Sequence, residues 1–332
     1  MKKYLKWIIL AIVVVLVLLY PATNPKAYSI HIAIMMALHV LLALALNIVA
    51  GYCGQLSVGH AAFYGIGGYV SALLTMNLGL PFWVTIFISA IVAALFGLLL
   101  GLPTLRLKGA YLVISTIGFG EIIRLILLNW IDLTRGPMGI TGISEPESFL
   151  GLDFGDKTVY YYLLLVIIAI TLILMYKIVH SRTGRAWIAI REDQIAAEVM
   201  GIHLAKYKLI AFIISAFVAG YTGALYAHYV KFISPDSYVL QESISMVIMV
   251  LVGGMGTLIG PIIGGMGITY LLEVLREIGE WRMVFYGLLL FFCAIYLPKG
   301  IMGIVNNIVK KRKAKHKEKV VQASNASEGG IS

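Results

Sequence analysis

The sequence predicts an all-α polytopic membrane protein with about ten transmembrane helices, and three observations carry that prediction. Of 332 residues, 60% are hydrophobic and only 13% are charged, about half the charged share of an average soluble domain. The mean hydropathy of +0.93 exceeds what a water-soluble globule of this size can bury, so a soluble enzyme is excluded. The apolar residues also fall in long continuous runs, each near the roughly 20 residues needed to cross a bilayer core about 30 Å thick. No recurring ten-residue alternation of the kind a membrane barrel requires is present.

The predicted spans are 5–20, 29–50, 60–79, 82–102, 109–129, 158–178, 208–230, 242–258, 261–276 and 283–299. The first follows Lys2, Lys3 and Lys6; it is short enough for a signal sequence, but the small-residue pattern after it is weak, so it reads as a retained anchor within residues 1–28. Residues 29–303 then form the main transmembrane domain, and 304–332 a basic tail. The run 310–319 holds seven Lys or Arg against one Glu, a net +6 out of the chain's +10. That tail reads as an extension drawn to anionic lipid head groups, not as a nucleic-acid binder. Lys and Arg set orientation in short loops. Arg106 and Lys108, the cluster Lys177, Arg182, Arg185, Arg191, Lys206 and Lys208, and the tail all fall on one side, whereas the acidic connection 130–157 falls on the other. Both termini are therefore expected in the cytoplasm of a cell whose plasma membrane the chain crosses.

Missing motifs narrow the function. There is no phosphate-binding G-x-x-x-x-G-K-[ST] loop, so the chain should not hydrolyse ATP by itself. No H-E-x-x-H motif or His and Cys cluster supports a metal site, and the two cysteines, Cys53 and Cys293, read as small core residues. Gly254, Gly256 and Gly260 have the wrong spacing and context for a dinucleotide fingerprint. Charges inside the spans are sparse: Glu121 and Arg124 stand at i and i+3, either an intrahelical ion pair or part of a pathway. An ion-coupled carrier, which favours inverted repeats and mid-membrane charged sites, has little support.

The 34 glycines point to where helices break or pack closely. The segment GYCGQLSVGHAAFYGIGGY (51–69) carries Gly51, Gln55, Ser57, Gly59 and His60 and reads as irregular backbone, buried or lining a path. In GGMGTLIGPIIGG (253–265), Gly253, Gly254, Gly256, Gly260 and Pro261 suggest a broken turn with Pro261 opening a new helix. Ser215, Ala219, Gly223 and Ala227 form a four-residue packing stripe. RGPMGITGI (135–143) is a loop that could face a docking partner or substrate. The connection 181–208 is predicted to hold a short helix from Gln194 to Met200, with Asp193 as its N-cap and Gly201 as its terminator. Ile195, Val199 and Ile202 form its apolar edge, while Arg191, Glu192, Asp193 and Glu198 are polar. Such a helix is marginal alone and either rests on the membrane surface or docks a soluble partner.

Together, GYCGQLSVGHAAFYGIGGYVSALL, TRGPMGITGI, GRAWIAIREDQIAAEVMGI and VGGMGTLIGPIIGG closely resemble the permease subunits of bacterial branched-chain amino acid ABC importers, the larger-loop member of the permease pair. The resemblance runs from about 30 to 300. The family's coupling motif, E-A-A, three residues and Gly, matches Ala196, Ala197 and Gly201, while Ile195 departs from the Glu. What the resemblance implies is a type II-like ABC importer permease of the bacterial inner membrane. It would pair with a second related permease, two ATP-binding cassette subunits that hold ATP and Mg, and an extracytoplasmic solute-binding protein. Arg185, Arg191, Glu192, Asp193, Ile195, Ala196, Ala197 and Gly201 would then be the coupling residues. Gly51, Gln55, Ser57, Gly59, His60, Glu121, Gly253, Gly254, Gly256, Gly260 and Pro261 would lie on the path or gate. Relatives of the same fold move urea, short amides or other amino acids. A reporter enzyme that works only outside the membrane, joined after Lys319, is expected to be silent; activity there would invert the topology.

Overall fold

The computed structural model describes residues 17–21, 23, 26–148, 151–279, 281, 284, 285, 287, 288, 291 and 300–303. Most of the predicted first and tenth spans, Cys293 and the tail 304–332 lie outside the described residues. The long helices are α1 (Ala27–Leu46), α2 (His60–Leu78), α3 (Phe82–Thr104) and α4 (Ala110–Asn129). After the short α5 (Ile131–Thr134) come α6 (Lys157–Val179), α7 (Arg182–Glu192), α8 (Gln194–Val199), α9 (Leu204–Val230), α10 (Leu240–Gly253) and α11 (Gly260–Val274). Each of the eight predicted spans from the second to the ninth has a helix at its place, with ends within a few residues of those expected. Among the described residues six helical stretches are long and apolar enough to cross a membrane, those of α1, α3, α4, α6, α9 and α10.

Helices α1 and α9 form the centre. Helix α1 packs against α6, α9, α10 and α11, and α9 packs against α1, α2 and α3. Of the most apolar stretch of α1, 78% is buried by protein, against 17% for α6. The outer face of α6, with Val166, Ile170, Ile173 and Leu174 exposed, is apolar throughout, as a lipid-facing surface must be.

Small residues set how close the central helices come. A Cβ on Gly67 of α2 would lie 2.0 Å from the Gly220 carbonyl oxygen of α9, so the two backbones touch. The stripe Ser215, Ala219, Gly223 and Ala227 faces this contact, with Ser215, Ala219 and Ala227 fully buried and Gly223 against the Tyr64 carbonyl of α2. Without a hydrophobic driving force between helices in lipid, such close packing supplies much of the association energy.

Two expectations need correction. The glycine-rich segment 51–69 is irregular only from Cys53 to Gly59; from His60 on it is the regular helix α2, because Gly65, Gly67 and Gly68 make room for close contacts with Tyr238 and α9 rather than for bends. The span placed at 242–258 stops at Gly253, since Gly254 and Gly256 take φ values of +120° and +71°. The 135–143 loop continues through a 3-10 turn, Gly136–Met138, into the strand β1 (Ile140–Thr141), antiparallel to β2 (Phe232–Ile233). Its neighbour Glu145 pairs with Lys231, so the loop is held against the C-terminus of α9.

Gly67→Val would insert side-chain volume where no space exists, and overpacking costs about 1–3 kcal/mol. A clear fall in the thermal midpoint of the purified permease in detergent is expected. Gly267→Ala, in open space on α11, should leave that midpoint unchanged or slightly raised.

Candidate functional site: a joint between the coupling loop and two broken helices

Three segments that the sequence singled out separately converge at one point. The first is the end of α1, where the chain widens into a π-helical turn, Asn47–Tyr52. The second is the turn 254–259 between α10 and α11. The third is Arg191, at the end of α7. A wide or broken turn leaves backbone donors and acceptors without helical partners, and in a membrane protein these must be met by other groups.

Two side chains meet that need. The Arg191 guanidinium donates through Nη1 to the Gly51 carbonyl at 2.7 Å. Asn47 acts in both directions: its Nδ2 donates to the Thr257 carbonyl at 2.8 Å and its Oδ1 accepts from the Gly256 amide at 2.9 Å. Within the turn, Thr257 Oγ1 donates to the Gly254 carbonyl at 2.8 Å and accepts from the Gly260 amide at 3.0 Å. Glycine is required here by contact as well as by conformation. A Cβ on Gly256 would lie 2.1 Å from Arg191 Nη1, and one on Gly51 would lie 2.5 Å from the Gly256 amide nitrogen. Pro261 then sits in the first turn of α11, where its missing N–H removes no helical bond.

The coupling loop is built to present a surface. Helix α7 is capped by Ser181 and anchored by Trp187, which is fully buried and donates through Nε1 to the Tyr207 carbonyl at 2.8 Å. Asp193 caps α8, its Oδ1 accepting from the Ile195 and Ala196 amides at 2.8 and 3.1 Å. Gly201, at φ +81°, ends it, and the Ile202 amide reaches back to the Ala197 carbonyl at 3.0 Å. Lys208 Nζ donates to Gln194 Oε1 at 3.0 Å and fastens α8 to the start of α9. Ala197 is buried, but Ile195 is 70% exposed and Val199 and Met200 are each 81% exposed. Arg185, Glu192, Asp193, Ala196 and Gly201 are exposed around them.

Other named residues lie deeper. Ser215 Oγ donates to the Ala45 carbonyl at 2.6 Å, so its lone pairs accept from His60 Nε2 at 2.7 Å. The Ser57 hydroxyl, 3.1 Å from His60 Nδ1, then donates to that nitrogen. This network assigns a neutral, fully satisfied His60 that bolts α2 to α9 and α1. Gln55, also buried, sits between the joint and this bolt. Gly59 packs on the Thr116 carbonyl of α4, and burial pushes the Cys53 thiol up to about 12, which makes it a poor nucleophile. Glu121 stands apart from the joint, at the edge of a cavity of about 220 Å³ lined by Val58, Ala61, Ile117, Tyr238, Leu240 and Ser243. Among the described residues no group of three His, Cys, Asp or Glu side chains gathers to hold a metal ion. Asn47 and Thr257 were not picked out from sequence; the visible signal was a lone amide at the end of an otherwise apolar run, four residues before Gly51.

A bundle of long apolar helices with an exposed, capped loop helix is the architecture of a multi-pass membrane protein. Residues 28–294 match the family described as branched-chain amino acid transport system / permease component, and the chain belongs to that family. It is 36% identical over 312 residues to the high-affinity branched-chain amino acid transport system permease protein LivM of Salmonella typhimurium, covering 87% of this chain and 73% of that one. It is 28% identical over 290 residues to the LivH permease protein of Escherichia coli K12, covering 80% and 91%. The fructose import permease protein FruG of Bifidobacterium longum is 24% identical over 297 residues, covering 84% and 81%. No solved structure matches the chain.

Removing the guanidinium by Arg191→Ala should free the Gly51 carbonyl and loosen both turns. Hydrogen–deuterium exchange in peptides spanning 51–59 and 254–259 is expected to rise, with the α2–α9 contact unchanged. Equal protection in the variant would mean that Arg191 does not hold the joint.

Proposed function

We propose that this chain is the permease subunit of an ATP-driven importer of branched-chain amino acids in the bacterial plasma membrane. It supplies half of the translocation path and the lever that couples the path to separate ATPase subunits. The observation that carries this reading is the Arg191 joint, seen together with membership of the permease family. One side chain of the exposed loop is bonded to the first broken helix and packs on the turn of the second, which Asn47 ties to the first, so a displacement of α7 and α8 reaches both.

In this reading ten spans place both termini in the cytoplasm, and the loop 181–208 faces the ATP-binding subunits. ATP and Mg are held by those partners, a second related permease completes the path, and an extracytoplasmic binding protein delivers solute. Ile195, Val199 and Met200 enter a groove on an ATP-binding subunit as a short apolar plug. Closure of the ATPase pair pushes α8, and the permease pair switches between two discrete arrangements, as packed interfaces do. The capped ends at Asp193 and Gly201 keep so short a helix in shape while it bears load. The substrate alternatives within the same fold are urea, short amides and other amino acids.

The test is uptake of radiolabelled leucine into proteoliposomes holding the complete complex and its binding protein. ATP-dependent uptake, competed by isoleucine and valine and not by urea, is expected. Gly201→Trp should abolish uptake while the complex still assembles, because neither the φ nor the exposed docking surface tolerates the indole. Wild-type uptake in that variant would overturn the docking role.

A further inference from the structure

The ion pair on α4 has no place in the joint, and its position calls for a separate explanation. Glu121 and Arg124 are the twelfth and fifteenth of the twenty residues of α4, near the middle of a helix about 30 Å long. Arg124 donates to Glu121 through Nε at 3.1 and 3.0 Å and through Nη2 at 2.6 Å. The Asp236 carboxylate lies 3.9 Å from its Nη1. Yet the Glu121 side chain is 44% exposed on the surface of this chain. Charge at that depth is costly against lipid, and the lipid-facing side of α6 carries none. The α4 face is therefore covered by protein or opens on water.

Beside this pair lies the cavity of about 220 Å³. Two stretches of non-α-helical backbone reach it: Val58 from the irregular segment 53–59, and Tyr238 from the 3-10 turn Pro235–Tyr238. Both stretches connect successive helices, and irregular backbone within a membrane protein is tolerated away from water only when it is buried or lines a cavity. The walls are chiefly apolar, from Val58, Ala61, Ile117 and Leu240, with charge confined to one edge.

We propose that this cavity is a mid-membrane binding site for a zwitterionic amino acid with a branched apolar side chain. Its ammonium group pairs with Glu121 in the cavity wall and its side chain lies against Val58, Ile117 and Leu240; its carboxylate pairs with Arg124, which does not line the cavity and turns toward it from its bonds to Glu121. This deepens, and rests on, the importer function proposed above. When the site is empty the two protein charges satisfy each other; when it is filled, one opposite pair has been inserted beside another, so the bilayer never sees a net charge. That balance selects against solutes carrying only one of the two charges. It also keeps binding weak, which a conducting path needs for release.

The test uses the complete complex in nanodiscs, with Ile117→Cys placed in a chain also carrying Cys53→Ala and Cys293→Ala. Leucine at ten times its half-effective concentration should slow maleimide labelling of that thiol roughly tenfold by occupancy alone. Leucinamide and 4-methylpentanoate, each lacking one charge, should need roughly tenfold or more higher concentrations, as should leucine against Glu121→Gln or the milder Arg124→Lys. The site is refuted if leucine fails to protect in a complex whose wild-type form imports leucine. It is also refuted if the charge variants keep the wild-type half-effective concentration, including the case where they only weaken co-purification of the second permease. Absence of leucine import by the wild-type complex would instead refute the parent function, and this site with it.

Discussion

The hydrogen bond from Arg191 to the Gly51 carbonyl is the interaction on which the arrangement of this permease turns. Breaking a helix within or beside a bilayer frees carbonyls and amides that lipid cannot satisfy. The chain leaves helix twice at nearby points, after the π-helical turn that ends at Tyr52 and after Gly253. Neither break would be stable alone. Asn47 and the 254–259 turn satisfy each other, and Arg191 meets the carbonyl left over at Gly51. A hydrogen bond to a charged donor is worth about 1.5–3 kcal/mol, enough to hold a loop against a bundle without welding it there.

Around that joint the glycines divide into two physical roles. Gly67 and Gly220 let α2 and α9 touch along regular helices, giving a rigid block that also includes α3. Gly51, Gly254 and Gly256 permit conformations and contacts that no side chain allows, and these sit where the chain must bend. The neutral His60, held by Ser57 and Ser215, lies between the two regions and belongs to the rigid one. A block and a hinge in sequence proximity, separated by one satisfied polar bolt, is the arrangement that lets a local push become a rigid-body displacement instead of dissipating in soft packing.

Much of this was legible in the sequence because the bilayer constrains so strongly. Long apolar runs with Lys and Arg between them locate α1 to α4, α6 and α9 to α11 to within about five residues, and the Asp193 and Gly201 signals mark the ends of α8. What misled was glycine. In a one-dimensional reading Gly65, Gly67 and Gly68 look like flexibility, whereas in three dimensions Gly67 and Gly68 let α9 come close and Gly65 makes room for the Tyr238 ring. Asn47 was passed over because one amide in an apolar run is quiet, and its value appears only when Gly256, more than 200 residues away, arrives beside it. Arg191 lies in the coupling loop by position, and nothing in the local pattern shows that its guanidinium turns inward.

The separation between the joint and the α4 ion pair carries a final consequence. Val58 belongs to the short irregular segment 53–59 that begins just after Gly51, and the Val58 amide is held by Thr116 Oγ1 of α4 at 3.0 Å. Gly59 packs against the Thr116 carbonyl. The segment is thus fixed to the coupling loop at one end through Gly51 and to the cavity wall at the other through Val58, with only a few residues between. Only a few irregular residues separate the two fixed ends, at Gly51 and at Val58, so the loop and the cavity wall are joined by a short tether. In the proposed importer this makes solute release a mechanical result of moving the loop. The parts for this are a stiff arm, a broken helix and a short tether.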